Sequence, residues 1–151
     1  MKSTVIAAAA FIALAATASA QGAKSPVEQA LSGTWACTAE AQGMSVTSST
    51  TYLDGGKETY EVNVNAGGGQ LEFTGNGTAD WKLTPDGKLF ETITALTVKT
   101  ARLNGQDAPV ATVQPMVEPM IVNQTSTSAI SLKDGGLTLT DEDGTVTICK
   151  R

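Results

Sequence analysis

Glycine-bearing turn signals interrupt this chain every eight to twelve residues or so, and they restrict it to short strands joined by tight reversals. The signals are Asp54-Gly55-Gly56, Gly67-Gly68-Gly69, Gly75-Asn76-Gly77, Pro85-Asp86-Gly87, Asn104-Gly105, Asp134-Gly135-Gly136 and Asp143-Gly144. Glycine after Asn or Asp supplies the positive φ that a hairpin turn needs. Between these signals the hydrophobic period is two. Tyr60, Val62 and Val64 alternate with Glu61, Asn63 and Asn65; Ala79, Trp81 and Leu83 alternate with Asp80, Lys82 and Thr84. Ile130 and Leu132, Leu137 and Leu139, and Val146 and Ile148 repeat the pattern. Leu89 to Val98 is apolar on both faces, as in a long strand covered on each side. The expectation is an all-β fold, an antiparallel and mostly up-and-down barrel of eight to ten strands.

Two segments break the rhythm. Ser25 to Leu31 reads as a short helical turn, with Ser25 as cap, Pro26 at the first position and Glu28 three residues beyond the cap. Pro109 to Ile121 carries Pro109, Pro115 and Pro119 and has no strand period, so it reads as a long loop or broken helix.

The N-terminus has the form of an export signal. Lys2 supplies a positive charge, Val5 to Ala16 are apolar, and Ala18-Ser19-Ala20 is a small-residue cleavage site. The apolar run is shorter than the roughly 18 residues that span a bilayer, so no membrane span is expected. The expected division is a signal peptide over 1–20, an N-terminal segment with the helical turn over 21–32, and one barrel domain over 33–151. The location is periplasmic or secreted. Disulfides persist in such a compartment, and Cys37 and Cys149 are the only two thiols present. Their pairing ties the first strand to the last.

Composition removes several functions. The formal charge is -5 with no basic cluster, which argues against nucleic acid and anionic membrane surfaces as partners. The chain contains no histidine, so Ser-His and Cys-His nucleophiles and imidazole metal sites are absent. No catalytic residue, metal or cofactor is expected. Paired carboxylates remain open, because strands bring distant acids together, although no particular pair stands out.

Gly33-Thr34-Trp35 opens the first strand. It resembles the glycine-x-tryptophan opening of the calycin group of lipocalins, fatty-acid-binding proteins and avidins. In that group a basic residue near the end of the last strand packs over the tryptophan, and Lys150 and Arg151 lie there. If Cys37 sits opposite Cys149, Trp35 falls opposite Arg151. Val146 and Ile148 alternate out of phase with Cys149, which leaves either a bulge that shifts the register or a disulfide off the core face.

The resemblance implies an exported lipocalin-like barrel that binds a small apolar or amphipathic ligand at its mouth. Tyr60 and Trp81 are the aromatic candidates, and Met116 and Met120, four apart with adaptable thioethers, are candidates on the covering segment. The alternatives are an envelope protein-binding module, such as a protease or lysozyme inhibitor acting through Gln42 to Ser45 or Asn104 to Ala108, and a structural envelope protein.

Overall fold

The computed structural model describes residues 22–151, and the expected signal segment lies outside the described residues. A six-residue helix, α1 (Pro26–Leu31), precedes five strands: β1 (Gly33–Ala41), β2 (Met44–Leu53), β3 (Lys57–Ala66), β4 (Leu71–Leu83) and β5 (Leu89–Leu103). Then come a two-residue strand β6 (Gln106–Asp107), helix α2 (Val110–Ile121), β7 (Thr125–Lys133), β8 (Gly136–Asp141) and β9 (Val146–Lys150).

Every strand pairing is antiparallel. Eight strands form the ring β1-β2-β3-β4-β5-β7-β8-β9, and β9 returns to β1 to close it. β6 lies outside the ring, on the far end of β5. The architecture is consistent with a calycin-like barrel.

The closing seam is covalent. Cys37 and Cys149 are register partners and form a disulfide spanning 112 positions of sequence. Both face the interior, at 5% and 0% exposure. No register shift is needed, because Val146 and Ile148 are the residues that point outward; Ile148 is 50% exposed. The out-of-phase apolar pair therefore belongs to the solvent face.

One end of the barrel is plugged. α1 is capped as its sequence dictates: the Ser25 hydroxyl accepts from the Glu28 amide and the Glu28 carboxylate accepts from the Ser25 amide. Leu31 then seats against Trp35, Trp81, Leu89 and Leu137. The Trp35 indole donates to the Leu31 carbonyl at 2.8 Å. The Trp81 indole donates to the Lys57 carbonyl at 2.9 Å and meets Tyr52 edge-on.

The other end is built differently. β3, β4 and β5 run on past the ring, because β5 pairs with β7 only over Leu89 to Thr92. Two register irregularities lie along the β4–β5 pairing, and Thr94 and Lys99 of β5 are left without β4 partners. Each bulge flips the strand's parity. Leu89, Glu91 and Ile93 face inward, then Leu96 and Val98, then Ala101 and Leu103. The run that reads as apolar on both faces is thus a one-sided strand broken by bulges, and Ala95 and Thr97 are exposed.

Pro109 to Ile121 is neither a loop nor a broken helix. Val110–Ile121 is one helix with Pro115 and Pro119 inside it. Both prolines are exposed, as is Ala111. The carbonyls left without intrahelical donors, at positions four residues before each proline, therefore lie where water reaches them. Val113 and Val117 hold the opposite face against Val64, Phe73, Leu96, Val98 and Ala101. α2 thus covers the extended end of the barrel.

Candidate functional site

The barrel is apolar at its two ends and polar between them. Cross-strand partners share a face, so the register identifies the inward residues of the middle level. They include Ala39 and Ser48, Thr50 and Glu58, Ala79, Glu91 with its partner Ser126, Ser128 with its partner Asp141, and Thr147. Most are short. Ala39, Ser48, Glu91, Ser126, Asp141 and Thr147 are only partly buried although they face inward. Inward residues that stay partly accessible show that larger side chains do not close over the inner face at this level.

Two carboxyls dominate this level. Glu58 on β3 and Glu91 on β5 flank β4, where Glu58 is the register partner of Ala79 and Glu91 that of Trp81. Ala79 has only a methyl group to place between them, and the two carboxyls lie within hydrogen-bonding reach of each other. Glu58 is 7% exposed, and among the described residues its Oε2 has no hydrogen-bond partner. Glu91 Oε1 accepts from the Tyr52 hydroxyl at 2.9 Å, and Ser126 is the register partner of Glu91 on β7. The Ser128 hydroxyl is bonded to Asp141.

The electrostatics follow from this geometry. Burial, and then the neighbouring Glu91 charge, push the Glu58 carboxyl up to about 9 from its ordinary 4.5. Burial raises Glu91 as well, against the lowering effect of its hydrogen bonds. Two carboxylates in contact in a desolvated site cannot both ionise, so the pair holds a proton at neutral pH. The phenols respond to the same field: burial raises Tyr52 strongly, and burial with the Glu58 charge lifts Tyr60 to about 12.

The candidates named from sequence occupy different places. Tyr60 is half-buried on the same face of β3 as Glu58, two residues along, and donates to the Ala95 carbonyl at 2.8 Å. Its ring lies over Gly77, where any Cβ would collide with the Tyr60 hydroxyl and the Ala95 carbonyl. Trp81 sits in the plug next to Glu91. These two border the carboxyl pair from different sides. Met116 and Met120 do not join them; they lie on the solvent face of α2, at 51% and 67% exposure. Gly33, Trp35 and Arg151 are at the plugged end, with the Arg151 guanidinium 4.4 Å from the centre of the Trp35 ring.

Composition and turn spacing do not single out Glu58 and Glu91, although the strand pattern carries a signal for each. Glu58 has the parity of Tyr60, Val62 and Val64, and Glu91 that of Leu89 and Ile93. A carboxylate in phase with the buried set of a strand is the mark of an interior acid.

The depressions are open and lie on the outer surface. The outer face of β2 to β5 carries a groove of about 460 Å³ lined by hydroxyl and amide side chains such as Thr47, Ser49, Asn63 and Asn76. Among the described residues no three acidic or cysteine side chains gather closely enough to hold a metal ion. Nor is any helix among them long and apolar enough to cross a membrane. Compared with known proteins, the chain matches no family model and no curated sequence at a significant level.

Proposed function

We propose that this chain is an exported, lipocalin-like binding protein that holds a small amphipathic molecule inside its barrel, beside Glu58 and Glu91. The observation that carries the reading is the partly accessible middle level, where inward residues are short and polar between two apolar ends. A side chain such as Leu or Phe at Ser48 or Thr147 would fill that level and give an ordinary core. Binding sites of this kind combine apolar walls with a few placed polar groups. Here Tyr60 and Trp81 supply the walls and the carboxyl pair the polar group.

The pair suits holding a ligand better than cleaving one. A glycoside-cleaving pair stands about 5 Å or more apart to admit the scissile bond, whereas these two carboxyls lie within hydrogen-bonding reach of each other. Export is supported by the signal-like segment and by a disulfide that fits an oxidising compartment.

The test is a backbone-amide NMR titration with three small phenylalkyl probes, one neutral, one cationic and one anionic. Shifts concentrated at Ser48, Ala79, Ile93 and Thr147 are expected for at least one probe. Shifts confined to Thr47, Glu61 and Asn76 on the outer groove would move recognition to the surface, as a protein-binding module requires. A spectrum unmoved by all three would end the container reading.

A further inference from the structure

We propose that the Glu58–Glu91 pair anchors the ammonium group of a small amphipathic amine, which binds by displacing the proton the two carboxyls share. The proposal rests on the container reading above and specifies the chemical class of what the container holds.

The interior is one-signed. Among the described residues the ionisable groups that face the pair are Tyr52 from β2, Tyr60 from β3 and Asp141 from β8, and each is an acid or a phenol. β7 contributes only the hydroxyls of Ser126 and Ser128, and the cysteines of β1 and β9 are tied in the disulfide. Lys57 and Lys82 lie on the outer face and are occupied there, Lys57 with Asp80 and Lys82 over the Phe90 ring. Every ion pair among the described residues involves side chains of the exposed surface, and none reaches Glu58 or Glu91.

A buried charge is normally balanced by a partner. This pair is balanced by a proton alone, and Glu58 Oε2 meets no other donor. An anionic ligand would meet like charge, and a neutral one would leave the pair as it is. A bare metal ion lacks a sufficient ligand set. A primary ammonium brings three N–H donors, matched to the oxygens of Glu58 and Glu91 and to a neighbouring hydroxyl acceptor such as Ser126. The indole of Trp81, partner of Glu91, and the ring of Tyr60 are placed to take the adjoining apolar part and to favour a cation near their faces.

The proton balance is explicit. In the free protein one O–H of the pair donates to the other carboxyl. On binding, that proton leaves to solvent, both carboxyls ionise, and the ammonium N–H groups donate to them. No covalent bond of the ligand changes.

The experiment is calorimetric titration of the wild-type chain with phenethylammonium at pH 6, 7 and 8, in two buffers of different ionisation enthalpy. 2-Phenylethanol and 3-phenylpropanoate serve as neutral and anionic controls. Expected are release of close to one proton per amine bound, affinity rising up to about tenfold per pH unit, and little binding of either control. Glu58→Gln, which keeps a donor toward Glu91 but has no proton to release, should weaken amine binding at least tenfold and abolish its pH dependence. The proton count comes from the wild-type chain and so does not depend on how the variant folds. Amine binding without proton release, or 2-phenylethanol binding as tightly as the amine, overturns the ammonium assignment while the container stands. Absence of binding by all three probes, with inward amides unmoved, overturns both.

Discussion

The side chain of Gln114 completes the sheet edge at Val98: its Oε1 accepts the Val98 amide at 2.7 Å while its Nε2 donates to the Leu96 carbonyl at 2.9 Å. β5 has by then left β7, so its edge offers unpaired backbone groups beneath α2. A carboxamide presents one donor and one acceptor, as a neighbouring strand would. The helix is thus attached to the barrel by a mimic of strand pairing as well as by Val113 and Val117. An open edge is also a site for unwanted strand addition, which this contact blocks.

Gln114→Met should keep the helix propensity and much of the volume while leaving the Val98 amide and Leu96 carbonyl unpaired. The expected loss is about 1–3 kcal/mol, the cost of unsatisfied polar groups away from water. Denaturant unfolding measures it, and hydrogen exchange at the Val98 amide localises it. Unchanged protection of that amide would mean that the helix is held by its valines alone.

The disulfide should dominate the stability of the free chain. Cross-linking positions 112 apart removes loop entropy from the unfolded state; the chain-entropy model gives about 4–5 kcal/mol. Replacing both Cys37 and Cys149 with Ser should lower the unfolding midpoint sharply without altering the far-ultraviolet spectrum of whatever remains folded. A double variant as stable as the parent would show that the β1–β9 pairing closes the barrel unaided.

Arg151 locks the plugged end by two means. Its guanidinium lies over the Trp35 ring, and its Nη2 donates to the Ala30 and Ser32 carbonyls at the end of α1. Arg151→Ala should cost about 1–2 kcal/mol from the lost cation–π contact and the exposed hydrogen bonds, with a change in Trp35 fluorescence. Arg151→Lys should recover only part, since an ammonium is a point donor and cannot cover the ring while spanning both carbonyls. Full recovery by lysine would reduce the contact to simple charge.

Much of this frame is legible in the chain because local rules and the global fold agree. Six of the seven glycine signals are the turns of the meander, whereas Gly75-Asn76-Gly77 lies inside β4, where the Tyr60 ring and the Ala95 carbonyl leave no room for a Cβ at Gly77. Cys37, Cys149, Trp35 and Arg151 meet with the register their numbers imply. The features that local pattern does not encode depend on tertiary context. Pro115 and Pro119 argue against a helix unless it is known that their side faces solvent. The bulges at Thr94 and Lys99 change the parity of β5 beyond Ile93, so Leu89 to Val98 reads as apolar on both faces and the inward set that includes Glu91 does not stand out. Val146 and Ile148 follow the pattern of a buried face and lie on the outer one, with nothing in the described structure covering them.

The carboxyl pair gives the ligand-free protein a stability that falls as pH rises. Glu58 ionises near its ordinary 4.5 in the unfolded chain and at about 9 in the folded one. Between those values the unfolded state binds fewer protons than the native state, so raising the pH favours unfolding. Glu91 is shifted in the same direction and adds to the effect. The stabilisation is therefore complete below about pH 4.5 and is lost progressively up to about pH 9, with a slope of at most about 1.4 kcal/mol per unit for each proton. Asp86 and Asp143, whose carboxylates are lowered by hydrogen bonds from Thr84 and Thr145, act in the opposite sense but only in the acid range below their ordinary 3.8. Urea denaturation at pH 5, 7 and 9 should show a steadily decreasing midpoint. Glu58→Gln should flatten the curve, because the carboxamide keeps a donor toward Glu91 at every pH. A wild-type midpoint that holds constant or climbs between pH 5 and 9 would show that Glu58 enters the fold already ionised, and that some group other than a shared proton neutralises the centre of the barrel.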